Sequence, residues 1–304
     1  MIKSVQIDLT TKCNQKCYMC RQYTWKTKEI PFEMLKKKID KYYNENKDCT
    51  FTFSGGDPTS YNYIFELNAL IEKLGISHYQ LFTNLDFPEM EFNIRKFLHK
   101  AEYLQVSMDG YDSKTYAYVR YPSLVDNFEE RWENIVKRVR YYGSKVKLNV
   151  TVSNRNYKHI SKIYDEFKND VKNVRFYPVH TNDNALLKED MFKSIKEQMQ
   201  YIIEDDTKEM TNAKTFSLEP MEEYKGLCFV KKDHVVIDQA GKEYPCCRAT
   251  NDNGEDWEGK YCLDNLSNID DEKVLYDFCS DCDRYRKFNE NYKEKVESKK
   301  VVYL

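Results

Sequence analysis

Excess charge of either sign is missing from this sequence. Its 48 Lys and Arg residues meet 50 Asp and Glu, a net −2 over 304 residues, and no basic surplus points to nucleic acid. Long apolar runs are missing too, since none reaches the length that spans a bilayer. The chain enters a strand-like run, Ile2–Leu9, at once, so the expectation is no secretory signal or transit peptide. Internal repeats and low-complexity linkers are absent. The expectation is a cytoplasmic globular protein, and a hydrophobic fraction of 41% can build a sizeable core.

Cysteine, by contrast, is plentiful. Ten cysteines would be odd as disulfides in a reducing compartment, so metal binding is the better reading. Three of them, Cys13, Cys17 and Cys20, fall just after the first strand-like run. Thiolates are soft ligands that suit zinc or iron–sulfur clusters. The loop alone leaves two arrangements open. One is a zinc knuckle with a distant fourth ligand; the other is a four-iron cubane whose fourth iron lacks a protein ligand.

The spacing of apolar residues predicts strands at 2–9, 49–54, 78–83, 103–108, 146–152 and 174–178. Helices are predicted at 31–46, 64–74 (closed by Gly75), 91–100, 127–142, 157–169 and 188–205. Six strand–helix units in series demand a parallel sheet with right-handed crossovers. The cysteine loop then lies at the C-terminal end of a strand, where such sheets bind ligands. One face of the strands is polar, with Gln6, Asp8 and Thr10, then Thr50, Thr52 and Ser54, then Gln105, Ser107 and Asp109, then Lys147, Asn149 and Thr151. A closed barrel fills its interior with aliphatic side chains. A polar interior suits an open barrel around a polar ligand, or groups that satisfy one another and trapped water.

The spacing Cys-x3-Cys-x2-Cys at Cys13, Cys17 and Cys20 resembles the signature of the radical S-adenosylmethionine (radical SAM) superfamily. That resemblance implies a catalytic 4Fe–4S cluster on these thiols, with S-adenosylmethionine chelated to the open iron and cleaved to a 5′-deoxyadenosyl radical. Ser54-Gly55-Gly56-Asp57-Pro58 resembles the family's Gly-Gly-Glu-Pro stretch, which binds the cofactor's amino group; Asp57 stands where Glu is usual. Thr83-Asn84 and Ser107-Met108-Asp109-Gly110 resemble stretches that line its ribose and methionine portion. Arg120 stands where relatives often have an Arg that pairs with its carboxylate, and Met19 at an apolar position near the adenine.

Composition changes near Thr215, which divides the chain into a core domain, 1–214, and a smaller domain, 215–304. Cys228, then Gly241 to Cys246, then Cys279 and Cys282 resemble the opening of the SPASM/twitch subgroup. The resemblance implies the shorter twitch form, with one auxiliary 4Fe–4S cluster on Cys228, Cys246, Cys279 and Cys282. The same four thiols would also suit a zinc ribbon. Cys262 is a substitute ligand, and Cys49 reads as core. Cys247 follows a proposed ligand directly. Epimerases of this layout use a cysteine there as hydrogen-atom donor, and sulfatase-maturating relatives have a catalytic Asp.

The expected fold is therefore α/β: a partial (β/α)6 TIM-like barrel with a small C-terminal twitch-type iron–sulfur domain. The implied activity is hydrogen abstraction from an unactivated C–H of a polar substrate, peptide or sugar-like, leading to epimerisation or oxidation. Carbon–sulfur or carbon–carbon crosslinking of a peptide is the alternative. A non-catalytic zinc or iron–sulfur protein is the rival of a different class. The resemblance also implies an electron donor such as flavodoxin or ferredoxin.

Overall fold

The structure, a computed structural model, describes residues 1–20, 27–87, 92–121, 123, 128–179, 185–216, 218 and 233–246. Strand and helix alternate as the apolar spacing requires. β1 (Ser4–Thr10), α1 (Phe32–Glu45), β2 (Thr50–Gly55), α2 (Ile64–Leu74), β3 (Tyr79–Thr83), α3 (Phe92–Lys100) and β4 (Tyr103–Ser107) come first. Two helices follow, α4 (Ser113–Arg120) and α5 (Glu129–Tyr142), then β5 (Val146–Val152), α6 (Ile160–Phe167), β6 (Asn173–Pro178) and α7 (Glu189–Asp205). β7 (His234–Ile237) and β8 (Glu243–Tyr244) end the described chain.

The strands form one sheet in the order β6-β5-β4-β3-β2-β1-β7-β8. β1 to β6 pair in parallel, each with the next in sequence. Helical crossovers between parallel neighbours make this the partial TIM-like barrel expected. The sheet is larger than six strands: β7 adds in parallel to the free edge of β1, and β8 turns back antiparallel to β7. The sheet thus draws strands from both sides of residue 214.

Period-two alternation sorts the strand residues. Val5, Ile7, Leu9, Phe51, Phe53, Leu81, Leu104, Val106, Leu148 and Val150 are buried on the face that carries the helices. The helices answer with stripes such as Leu35, Ile39 and Tyr42 on α1 and Ile135, Val136 and Val139 on α5. Each such side chain contributes about 1.5–3 kcal/mol on leaving water. α2 stops at Gly75, whose φ of 70° is left-handed and whose N–H reaches the carbonyls of Ile71 and Glu72.

The β6 edge of the sheet is covered. At β6, Val174 N donates to Met210 O at 3.0 Å, and the Asn212 side chain both accepts from Phe176 N and donates to Phe176 O. Such cover blunts an edge that would otherwise template a further strand. At the opposite end, Glu243 of β8 accepts from Lys38, Lys41 and the Tyr42 hydroxyl, all on α1. Among the described residues no helix is long and apolar enough to cross a membrane.

Candidate active site

The polar face read from the strands is one hydrogen-bonded surface. Asn149 Nδ2 donates to Gln105 Oε1 at 3.1 Å, Gln105 Nε2 to Gln80 Oε1 at 3.2 Å, and Gln80 Nε2 to Thr52 Oγ1 at 3.0 Å. Four neighbouring strands are joined by this amide ladder, and Asn149 Oδ1 at its end is buried with no hydrogen-bond partner. Beside it, Asp8 Oδ1 accepts from Ser54 Oγ and from Gln6 Nε2. Burial pushes the Asp8 carboxyl above the usual range. The Ser54 and Gln6 hydrogen bonds pull it back in part, and the nearby Asp238 adds to the rise.

At the C-terminal end of β1 the backbone turns into the cysteine loop. Cys13 is exposed, Cys20 half-buried and Cys17 buried, and all three thiols are free. The Cys13 sulfur accepts from Gln15 N at 3.4 Å and Asn84 Nδ2 at 3.7 Å. The Cys17 sulfur accepts from Arg120 Nη1 at 3.6 Å. Burial pushes both thiols up to about 12; Arg120 opposes this most strongly at Cys17, and Asp57 reinforces it at Cys13.

The turn after β2 is built against that loop. Gly56 N donates to Thr10 O and Asp57 N to Lys12 O. A Cβ on Gly55 would lie 2.4 Å from Thr10 O, and one on Gly56 2.1 Å from Lys12 O, so a side chain at either position displaces the root of the loop. Gly55 also has a left-handed φ of 123°. The two glycines thus serve a close approach of backbone to backbone. Asp57 points inward as well: its carboxylate caps the short turn at Pro58–Ser60 through Thr59 N and accepts from Thr83 Oγ1 and Asn84 N. It is 1% exposed. Asn84 carries the network on to Asn14 Oδ1 and the Cys13 sulfur.

α4, which the apolar spacing did not predict, starts at a capping box between Asp112 and Thr115 and ends on the cysteine loop. Arg120 in its last turn is buried. Its Nη2 lies 2.6 Å from Asp109 Oδ2 and its Nη1 3.0 Å from Gln15 Oε1, whose amide nitrogen donates to Tyr116 OH. Burial works most strongly against the charged guanidinium, but Asp109, Cys17 and Tyr116 together outweigh it and hold its pKa up. Asp109 also receives Thr151 N. Gln15 is the site residue that the cysteine spacing alone did not single out; its signal was its place inside Cys-x3-Cys. Met19 packs with Cys17 against Val119, Val179 and Ala185. Ser107 ends β4. Cys246 is buried just beyond β8. Cys228, Cys247, Cys262, Cys279 and Cys282 lie outside the described residues.

Residues 7–167, just over half of the chain, match the Radical SAM superfamily, and the chain belongs to it. Its relatives include members of the SPASM/twitch subgroup. It is 29% identical over 185 residues to the cysteine-type anaerobic sulfatase-maturating enzyme of Clostridium novyi, covering 56% of this chain and 49% of that one. The chain spans half or less of the length of the sequence relatives it matches. In fold it is similar to anSMEcpe with bound AdoMet, with a TM-score of 0.66 and 20% identity over 94% of this chain and 87% of that one. It is also similar to Streptococcus suis SuiB bound to precursor peptide SuiA, with a TM-score of 0.62 and 17% identity over 90% of this chain and 67% of that one.

The cofactors of this family are S-adenosylmethionine and a catalytic 4Fe–4S cluster. The residues present fit them. Three free thiols share one loop, and N–H donors already face two of the sulfurs, as iron–sulfur ligation favours. Arg120 Nε is buried without a hydrogen-bond partner, a donor left over beside the loop. Once bound, these groups supply the reductive chemistry that makes a hydrogen-abstracting radical. The chain's part is to hold the loop on Gly56 and Asp57, aim the sulfur-facing donors and enclose the polar floor.

Proposed function

We propose that this enzyme abstracts a hydrogen atom from a peptide substrate laid over the polar floor of the barrel, leading to epimerisation or oxidation. The amide ladder from Asn149 to Thr52, on the concave face below the cysteine loop, carries this reading. Peptide groups offer the alternating donors and acceptors that such a ladder pairs with, and Asn149 Oδ1 has its acceptor capacity unused. SuiB, of the same fold, is bound to a precursor peptide, which supports the choice of peptide over sugar. The roles of Met19, Gly55, Gly56, Asp57, Pro58, Thr83, Asn84, Ser107, Asp109 and Arg120 around S-adenosylmethionine belong to this proposal. So do an auxiliary cluster on Cys228, Cys246, Cys279 and Cys282 and a flavodoxin- or ferredoxin-type electron donor.

The test is anaerobic incubation with S-adenosylmethionine, dithionite and candidate peptides, followed by mass spectrometry in deuterated water. Epimerisation through Cys247 adds one solvent deuterium at the reacting carbon, and Cys247→Ser loses the product but keeps 5′-deoxyadenosine. Oxidation removes two hydrogens and adds no deuterium. Equal turnover of peptides and sugar-like compounds would contradict the peptide reading.

A further inference from the structure

α4 and the cysteine loop are joined as one unit. Lys16 N donates to Arg120 O at 3.3 Å and Tyr18 N to Val119 O at 2.9 Å, so the loop takes up carbonyls that the end of a helix leaves unpaired. The same turn sends the Arg120 side chain inward. Its Nη1 lies 3.6 Å from the Cys17 sulfur, its Nη2 2.6 Å from Asp109 Oδ2, and its guanidinium carbon 5.6 Å from the centre of the Tyr116 ring. The side chains of Arg120 and Asp109 are 7% and 0% exposed. An arginine so enclosed cannot swing away without leaving a buried carboxylate short of its counter-charge.

We infer that Arg120 is a fixed electrostatic partner of Cys17 that sets the reduction potential of the cluster held by that thiolate, with Asp109 as its counter-charge. Reduction adds one negative charge to the cluster. A buried cation and an N–H···S hydrogen bond at a ligand sulfur both stabilise that charge and raise the potential. Charges act strongly over a few ångströms where water and salt are excluded. Asp109 damps the effect, and Gln15 holds the guanidinium in register with the loop. This role precedes cofactor binding. It is therefore separate from the carboxylate contact that the resemblance implies for Arg120, and it does not depend on the substrate being a peptide.

The experiment is a redox titration of the catalytic cluster by electron paramagnetic resonance, without S-adenosylmethionine, in a Cys246→Ala background so that auxiliary signal is reduced. Arg120→Gln should lower the midpoint, cutting the ratio of reduced to oxidised cluster at fixed potential by about tenfold, equivalent to ~59 mV for one electron. Asp109→Asn, which leaves the arginine charge uncompensated, should move the midpoint the opposite way. Arg120→Lys should fall between wild type and Arg120→Gln. Shifts of opposite sign support the inference, because mere loosening of the site would move both variants alike. Unchanged midpoints, or both variants shifting in one direction, would overturn it. If Arg120→Gln fails to hold a cluster, Arg120→Lys and Asp109→Asn decide the sign.

Discussion

The backbone N–H of Asp57 donates to the carbonyl of Lys12 at 2.9 Å, tying the turn after β2 to the root of the cysteine loop after β1. Two motifs more than forty residues apart in sequence thus form one structure, and each can be disturbed through the other.

Gly56→Ala tests that link. Its Cβ would meet Lys12 O at 2.1 Å, and backbone cannot yield as a flexible side chain can. The variant should lose about 2 kcal/mol or more in a denaturant titration. It should also bind less iron than wild type on reconstitution. Full iron loading with unchanged stability would mean that the turn does not shape the loop.

Asp57 explains a departure from the family pattern. Its carboxylate is shared among Thr59, Thr83 and Asn84 in a closed site. Asp57→Glu restores the usual residue yet inserts a methylene there, and overpacking of this kind costs about 1–3 kcal/mol. Asp57→Ala should cost about as much by orphaning buried donors. Thermal unfolding checks both; a more stable Asp57→Glu would show that the site has room to spare.

Asp8 gives the floor a pH dependence. Its folded-state pKa lies above the unfolded value of about 3.9, so the folded chain holds that proton more tightly. This group's contribution is most favourable below the unfolded pKa and declines as pH rises through the folded one. Asp8→Asn removes the decline, so its melting temperature relative to wild type should rise as pH increases from 4. A difference that is flat with pH would contradict the assignment.

The sequence made the six strand–helix units readable because their apolar periods are unmixed. α4 escaped because its buried positions, Tyr116, Ala117 and Val119, span barely two turns, although the Asp112–Thr115 capping pair was there to be read. β7 escaped because Val235, Val236 and Ile237 form a short continuous run, without the alternation used elsewhere. In the site, the cysteine spacing pointed to the loop directly. The inward direction of Asp57 and the pairing of Arg120 with Asp109 depend on which strand ends the sheet brings together, and spacing along one chain does not reveal that.

We propose that Cys13, Cys17 and Cys20 hold the cluster that cleaves S-adenosylmethionine. The most direct measurement is 5′-deoxyadenosine formed anaerobically with dithionite, by wild type and by the Cys13→Ala, Cys17→Ala, Cys20→Ala triple variant, with iron counted in both. Wild type should form it and hold roughly eight irons if the auxiliary cluster is present. The triple variant should stay folded, lose about four irons and form none. Wild-type levels of 5′-deoxyadenosine from the triple variant would contradict the account.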